Sequence, residues 1–254
     1  MRLLTIDIGN TNITLGLFEG DELKRTWRLA TDNHKTSDEY GLLITNLLTQ
    51  FGEKKIDGAC ISCVVPPLQP VFEDTLKKFF AIEPVILEPG VKTGIAVMYE
   101  NPKEVGADRI ANAVGGFYRY KRSLIIVDFG TATTFDYITA KGEYVGGAIA
   151  PGIGISSEAL FQRTAKLPKV EFQAPSRVVG RNTVESIQSG LFYGYVSMVD
   201  GMIKLMKLET RDNPLVIATG GYASLIAPKS KTIKIVDPDI TLYGLKYIFE
   251  KNRK

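Results

Sequence analysis

The chain has 254 residues, of which 44% are hydrophobic and 23% are charged, close to the averages of ordinary globular proteins. This composition excludes collagen, low-complexity disorder and disulfide scaffolds, and a chain of this length is expected to form one or two domains. The net charge is only +3 and the basic residues are scattered, so we predict no nucleic-acid partner. No apolar stretch reaches the roughly 18 residues of a membrane helix, and Asp7 interrupts a signal-peptide core. We therefore expect no membrane partner and a cytoplasmic location.

The first element in the chain is predicted to be a β-hairpin with a polar turn. An apolar run from Leu3 leads into Asp7–Asn12, with the sequence Asp-Ile-Gly-Asn-Thr-Asn, and a second strand-like run ends at Phe18. A tight turn with a glycine presents backbone N–H groups and hydroxyls to an anion, and a divalent metal would offset the charge of Asp7. A plain hairpin turn is the alternative interpretation. Turn residues at 19–21 then predict a third strand.

Helical periodicity fills most of the spaces between the predicted strands. The segments with this pattern begin at Ser37 or Asp38 and continue to Phe51, and then cover Val71–Phe80, Ser186–Leu208 and Leu242–Phe249. A further helix is expected to start at Asn101, because Pro102 and Glu104 follow it as in a capping box. The segment Ser186–Leu208 is long, apolar and rich in small residues, which allows close helix packing.

Cys60 and Cys63 form a C-x-x-C pattern in a segment that is predicted to be a buried strand. Positions three apart on a strand point to opposite faces, and no nearby histidine would complete a metal site. We therefore interpret both cysteines as packing residues rather than as a redox or zinc pair.

A second hairpin, nearly half the chain later, resembles the first. The apolar run Leu124–Val127 leads into Asp128–Thr134, with the sequence Asp-Phe-Gly-Thr-Ala-Thr-Thr, and turn residues at 141–143 precede another strand. Two such hairpins indicate a duplicated α/β unit and a nucleotide clamp. Thr219–Gly221, at the end of a later predicted strand, is a candidate third element or an ordinary turn. No P-loop sequence is present.

These hairpins, with the late Gly-Gly, resemble the superfamily of actin, sugar kinases and heat-shock-chaperone ATPases, and within it the type III pantothenate kinases. The resemblance extends over essentially the whole chain, and Gly-Ala-Asp-Arg followed by the second hairpin is its most specific part. The segments that carry it are Asp7–Asn12, Glu104–Asn112, Asp128–Thr134, Gly146–Gly152 and Thr164–Pro168.

The resemblance implies an α/β fold of two RNase H-like, actin-like ATPase domains with a nucleotide cleft between them. We expect an N-terminal half over residues 1–117 and a C-terminal half over 118–254. The implied reaction is ATP-dependent phosphorylation of pantothenate to 4′-phosphopantothenate, the first step of coenzyme A biosynthesis. A kinase of the same superfamily with another small acceptor is the alternative, and a non-catalytic nucleotide-binding regulator is a third reading.

The resemblance also implies the binding residues for ATP, Mg²⁺ and a monovalent cation, K⁺ or NH₄⁺. Asp7 would bind Mg²⁺ through water, and Asp128 would bind the monovalent cation. The implied ATP-binding residues are Ile6, Asp7, Ile8, Gly9, Asn10, Thr11, Asn12, Ile13 and Thr131.

For pantothenate, the resemblance implies Asp108 as the general base and Arg109 as the group that binds the substrate carboxylate or the charge that develops in the reaction. A solvated Asp108–Arg109 pair on a helix surface is the alternative. The remaining implied substrate-binding residues are Tyr99, Gly106, Ala107 and Thr183. Thr183 would come from the neighbouring subunit, so a homodimer is expected, joined mainly through the helix Ser186–Leu208.

Overall fold

The computed structural model describes residues 1–52 and 55–253. In chain order the strands are β1 (Arg2–Ile8), β2 (Asn12–Glu19), β3 (Glu22–Ala30), β4 (Gly58–Cys63), β5 (Val85–Ile86), β6 (Ala96–Val97), β7 (Leu124–Phe129), β8 (Ala132–Ile138), β9 (Glu143–Pro151), β10 (Leu215–Gly220) and β11 (Ile235–Val236). The helices are α1 (Ser37–Gln50), α2 (Gln69–Phe80), α3 (Ala107–Tyr120), α4 (Ile153–Gln162), α5 (Thr183–Thr210), α6 (Ala223–Ile226) and α7 (Ile240–Asn252).

The chain forms two compact units. The first contains Met1–Arg119 and the segment from Ile240 onward, and the second contains Tyr120–Asp239. The second unit begins two residues after residue 118, the start that we expected for the C-terminal half, and the C-terminal helix, which that division assigned to the second half, belongs to the first unit. In the structure α7 packs on β1, β2 and β4. The reason is apolar burial: Ile240, Leu242, Leu245 and Ile248 are fully buried.

The first unit has a mixed sheet in the order β3-β2-β1-β4-β5. β1 pairs antiparallel with β2 and parallel with β4. Because side chains alternate along a strand, Leu4, Ile6 and Ile8 share one face, and they belong to a buried cluster with residues of α1 and α2. The opposite face receives α7, where Leu242 lies against Gly16 and Phe249 against Gly58.

The second unit repeats this arrangement, with its strands in the order β9-β8-β7-β10-β11. β7 pairs antiparallel with β8 and parallel with β10, as β1 does with β2 and β4. Ile125, Val127 and Phe135 face a second cluster that includes Phe192 and Val199 of α5. Each unit therefore places a hairpin first and two parallel strands after it, and the predicted duplication is confirmed.

The predicted helices are confirmed with shifted ends, except around Asn101. Thr36, rather than Ser37 or Asp38, caps α1 and forms a capping box with Glu39. Asn101 caps only a short 3-10 turn over Pro102–Glu104. Val105 then has an extended backbone, so α3 begins at Ala107 and the expected helix start was wrong.

Cys60 and Cys63 both lie on β4 as free thiols. Cys60 is fully buried and burial raises the pKa of its thiol far above the ordinary value. Burial also raises the pKa of Cys63. Within the described ranges no helix is long and apolar enough to cross a membrane.

Candidate active site

The turn between β1 and β2 is a compact loop at the carboxyl end of β1. The Gly9 N–H donates to the Asn12 carbonyl at 3.0 Å. Thr31, directly after β3, holds the loop from the side: its hydroxyl donates to the Gly9 carbonyl at 2.6 Å, and its N–H donates to the Thr11 carbonyl at 3.1 Å. Nothing in the sequence pattern indicated Thr31, because it is about twenty residues away from the turn.

The residues predicted to bind ATP at this turn fall into two groups. Ile6, Ile8 and Ile13 are fully buried in the apolar core, so their side chains take no part in a surface site. Asp7 and Gly9 are half-buried, while Asn10, Thr11 and Asn12 are exposed. One carboxylate oxygen of Asp7 is also buried. The alternation of the strand explains the difference, since Asp7 lies on the face opposite to Ile6 and Ile8.

Gly106, Ala107 and Asp108 lie at the same edge of the first sheet as this turn. A side chain on Gly106 would approach Val64 to 3.8 Å. Val64 follows β4, and its N–H donates to the Ile8 carbonyl at 3.0 Å, just before Gly9. The start of α3 is thereby fixed beside the carboxyl ends of β1 and β4.

Asp108 lies in the first turn of α3, and its carboxylate folds back onto the helix start. Its Oδ1 accepts a hydrogen bond from the Arg109 N–H at 2.8 Å. The N-terminal end of a helix stabilises a negative charge. The same oxygen leaves no room on Gly106, where a Cβ would be 2.5 Å away. The arrangement presents a carboxylate beside a backbone segment without side-chain bulk.

Arg109 is buried, with 6% of its surface exposed. A solvated ion pair on a helix surface requires an exposed Arg109. The alternative interpretation of Asp108 and Arg109 as such a pair is therefore wrong. Buried cations are kept where they are paired or bind an anion. Tyr99 lies half-buried in the loop after β6.

The turn between β7 and β8 starts in the same way as the first. The Gly130 N–H donates to the Ala132 carbonyl at 3.1 Å, and Thr131 is exposed at the tip. Asp128 is half-buried at the end of β7. This turn has two residues between its strands, whereas the first has three.

Two glycines support the second turn from behind. A Cβ on Gly152 would lie 2.1 Å from the Thr131 carbonyl oxygen, and a Cβ on Gly220 would lie 2.4 Å from Asp128 Oδ1. Gly220 has a φ of +88°, which favours glycine. The segment Thr219–Gly221 is thus a strand-to-helix turn that packs against Asp128, and its role as a third element of the site stays a prediction.

Thr183 is exposed as the first residue of α5. Asn182 caps this helix by accepting the Glu185 N–H at 2.9 Å, and Glu185 accepts the Arg181 N–H at 2.9 Å. The valines that surround this start in sequence, Val178, Val179 and Val184, are exposed as well.

The described part of the chain contains no group of three His, Cys, Asp or Glu side chains that could hold a metal ion without other ligands. Mg²⁺ in phosphoryl-transfer sites commonly uses one or two carboxylates with phosphate oxygens and water. A single half-buried aspartate at each turn fits that donor set.

Two α/β units with the same strand order, each opening on an Asp-x-Gly turn, define a protein of the actin-like ATPase fold. A solved structure from Cytophaga hutchinsonii described as a sugar kinase covers 98% of this chain and 100% of its own at a TM-score of 0.51 and 15% identity. A Campylobacter jejuni structure assigned to the Baf family of transcriptional activators covers 98% of both chains at a TM-score of 0.62 and 21% identity. At these identities the likeness concerns the fold alone, and the predicted fold class is confirmed.

The family follows from closer matches. The family model for type III pantothenate kinase matches residues 3–205. The type III pantothenate kinase of Geobacter sulfurreducens is 56% identical over 254 residues, which covers 99% of this chain and 100% of the relative. The chain belongs to the type III pantothenate kinase family, and it is a phosphotransferase. The predicted family and enzyme class are confirmed.

Proposed function

We propose that this chain transfers the γ-phosphoryl group of ATP to the primary hydroxyl of pantothenate, with Asp108 as the general base and 4′-phosphopantothenate as the product. The observation that carries the proposal is the position of Asp108 at the start of α3, beside the sheet edge that bears the Asp7–Asn12 turn. In coenzyme A biosynthesis this is the first step.

Asp108 accepts the proton of the attacking hydroxyl. Its oxygen already accepts the Arg109 N–H, and the helix start favours the ionised form. Phosphoryl transfer depends mainly on positioning and charge neutralisation, so a carboxylate of ordinary basicity is adequate. The bare backbone at Gly106 and the small Ala107 leave space for the acceptor chain.

Arg109 recognises the pantothenate carboxylate by a forked pair of hydrogen bonds. Its burial supports this role, because a guanidinium excluded from water binds a carboxylate more strongly than an exposed one does. Tyr99 contributes a half-buried ring to the same pocket.

The two turns bind the nucleotide. Backbone groups of Gly9–Asn12 and the hydroxyl of Thr131 contact phosphate oxygens, while Ile6, Ile8 and Ile13 only fix the strands behind the first turn. Asp7 holds Mg²⁺ through water and Asp128 holds the monovalent cation. When bound, these cations neutralise the charge that develops on the phosphoryl oxygens.

A homodimer completes the substrate pocket through Thr183 of a second copy. The support is an exposed stripe on α5 with a spacing of four and three residues, as in packed helix pairs. Its members are Gly190, Gly194, Ser197, Gly201, Leu205 and Leu208. A Cβ on any of the three glycines would meet nothing within 4 Å, so a second helix has access to the backbone there.

The test of the reaction is ADP release with pantothenate, Mg-ATP and potassium, run with and without each component and with other small alcohols as acceptors. Asp108→Asn is expected to lower kcat by roughly 10²–10⁴-fold while ATP still binds. Asp74→Asn, an exposed aspartate on α2, is the matched control and should behave as the wild type. ATP hydrolysis that is indifferent to pantothenate, or full activity in Asp108→Asn, would contradict the proposal.

The test of the dimer is sedimentation. Gly194→Leu is expected to give monomers, because the new side chain fills the space for the second helix. Ala159→Leu on α4 is exposed as well and should leave the dimer intact. A wild-type monomer at micromolar concentration would refute this part of the proposal.

A further inference from the structure

A buried carboxylate lies close to Asp128, and the reaction proposed above does not use it. Asp136 on β8 is fully buried. Its Oδ1 accepts a hydrogen bond from the Tyr144 hydroxyl at 2.6 Å, and its Oδ2 accepts one from the Thr134 hydroxyl at 3.2 Å. Both of these donors are neutral hydroxyl groups, so the Asp136 carboxylate fixes the direction of each hydroxyl proton.

Thr134 links this carboxylate to Asp128. It is the direct antiparallel partner of Asp128 across β7 and β8. Directly opposed side chains share one face of the sheet, with Cβ atoms about 4.5–5.5 Å apart. Asp136, two residues further along β8, lies on that same face.

The hydrogen bond to Asp136 decides what else Thr134 can bind. A hydroxyl has one proton and two lone pairs, and Thr134 uses its one proton in the hydrogen bond that it donates to Asp136. Any further contact of that oxygen is therefore with a donor or a cation. Its neighbour on β7 is the carboxylate of Asp128, which is not a donor when ionised.

The other side of Asp128 is closed by backbone. Thr219 of β10 is the parallel partner of Asp128 and is 2% exposed. Gly220 follows it and lies so near to Asp128 Oδ1 that any side chain there would overlap it. Asp128 is thus flanked by Gly220 on one side and by its cross-strand partner Thr134 on the other.

The first unit does not have this carboxylate. Asp7 is paired across β1 and β2 with Thr14, as Asp128 is with Thr134. Two residues after Thr14, the place of Asp136 is taken by Gly16, and Leu242 of α7 covers it. The duplicated sheets thus share the aspartate and the threonine, and the second acid occurs only at the Asp128 turn.

We propose that Asp136 is a positioning residue for the monovalent cation: it accepts the hydrogen bond of the Thr134 hydroxyl, so that Thr134 offers a lone pair to the cation beside Asp128. The inference rests on the proposed function, which assigns that cation to Asp128. Oxygen donors from a carboxylate and a hydroxyl suit a hard, weakly held cation such as K⁺.

The experiment measures potassium binding by the intact protein without reference to turnover. The melting temperature is followed against KCl, with and without ADP, at an ionic strength held constant by choline chloride; binding to the folded state raises it. Thallium(I) NMR reports on the same site directly. Thr134→Val removes the proposed hydroxyl ligand and Asp136→Asn removes the group that orients this hydroxyl, so each variant is expected to raise the potassium midpoint tenfold or more.

Two further variants separate positioning from a general structural effect. Thr134→Ser keeps the hydroxyl and should stay close to the wild-type midpoint. Tyr137→Phe removes an equivalent hydrogen bond to a carboxylate, from Tyr137 to Asp212 at 2.9 Å, on the opposite face of β8, and should leave the midpoint unchanged. In Asp136→Asn, saturating potassium should restore kcat, which damage to the fold would not allow. If Asp136→Asn does not fold, the potassium midpoint is measured in Thr134→Val and Tyr144→Phe instead.

The outcomes distinguish this inference from the proposed function. Wild-type midpoints in both Thr134→Val and Asp136→Asn would overturn the inference. So would a wild type that turns over pantothenate with no effect of potassium, which would leave the phosphoryl transfer intact. A shift of thallium(I) binding in both variants supports the inference even in a protein that does not use pantothenate.

Discussion

The two Asp-x-Gly turns have similar sequences but are supported in different ways. A side chain holds the first, since the Thr31 hydroxyl donates to the Gly9 carbonyl at 2.6 Å. Backbone holds the second, since Gly152 packs where a Cβ would be 2.1 Å from the Thr131 carbonyl oxygen. The first turn is one residue longer. Duplication has kept the strand order of the two units, while each turn has its own support.

This difference predicts unequal sensitivity to mutation. Removal of a hydrogen bond lowers the unfolding free energy by about 0.5–1.5 kcal/mol, and the surrounding backbone keeps its conformation. A close backbone contact has no such tolerance, because an added methyl group must move one chain segment away from the other. The second turn should therefore respond more strongly than the first to a change of similar size.

The largest effect is expected from Gly152→Ala. The new methyl group displaces the Thr131 carbonyl, so kcat/KM for ATP should fall by about 10²-fold, as for a misplaced catalytic group. Stability should fall by about 1–3 kcal/mol. The measurements are steady-state kinetics and urea unfolding.

Gly154→Ala is the control for Gly152→Ala. Gly154 lies on α4 two residues later, and its Cβ would meet only the Tyr222 hydroxyl at 3.8 Å. It should be neutral or stabilising, because alanine favours a helix. Equal losses in the two variants would show that α4 matters as a helix rather than through its contact with the turn.

The second-largest effect is expected from Gly106→Ala, which lies in the first unit. Its Cβ would be 2.5 Å from Asp108 Oδ1, and a carboxylate at the end of a side chain can move aside. We expect kcat to fall about tenfold, with stability changed by less than about 1 kcal/mol.

A double-mutant cycle tests the cause. If Gly106→Ala acts by moving Asp108, it should have no further effect on kcat in the Asp108→Asn background. Additive losses would instead indicate that Gly106 contacts the substrate by itself.

Much of the fold could be predicted from repetition in the sequence. The second hairpin repeats the first closely enough to predict two similar units, and the order of strands confirms it. Local signals were less reliable where they were incomplete. Asn101 with Pro102 and Glu104 is a strong start signal, yet the extended backbone of Val105 ends the turn before α3 begins. The burial of α7 against the first sheet depends on contacts with strands β1, β2 and β4, which are distant in sequence and which no local pattern encodes.

The candidate site shows the same contrast between local sequence signals and long-range contacts. Asp7 and Asp128 lie at the ends of strands and Asp108 lies at the start of a helix, and a motif identifies all three places. Thr31 and Asp136 have no such signal, because their roles arise from partners reached through the fold. Within the predicted ATP-binding segment 6–13, the period of two on β1 and β2 directs the side chains of Ile6, Ile8 and Ile13 into the core, so for these three the prediction concerns backbone groups.

Thr31→Val should have a smaller effect than either glycine variant. The change keeps the shape of the side chain and removes only its hydrogen bond to Gly9, while the Thr31 N–H still donates to Thr11. We expect a loss of about 1 kcal/mol in unfolding free energy, a severalfold rise in KM for ATP and an unchanged kcat. Thr26→Val, at an exposed position of β3, is the control. A loss as large as that of Gly152→Ala would remove the proposed difference between the turns.

The smallest effect concerns the face of β8 that packs against α5, away from Asp128. Burial, together with the hydrogen bond to Asp212, raises the pKa of Tyr137 to about 12 from an ordinary value near 10. Because the folded state holds the neutral phenol, its contribution to stability is complete below pH 10 and is lost between about pH 10 and 12. The difference in melting temperature between wild type and Tyr137→Phe should therefore be constant up to pH 10 and shrink above it. Potassium binding near Asp128 should be the same in wild type and in Tyr137→Phe. A difference in melting temperature that stays constant to pH 12 would show that Tyr137 ionises alike in the folded and the unfolded state.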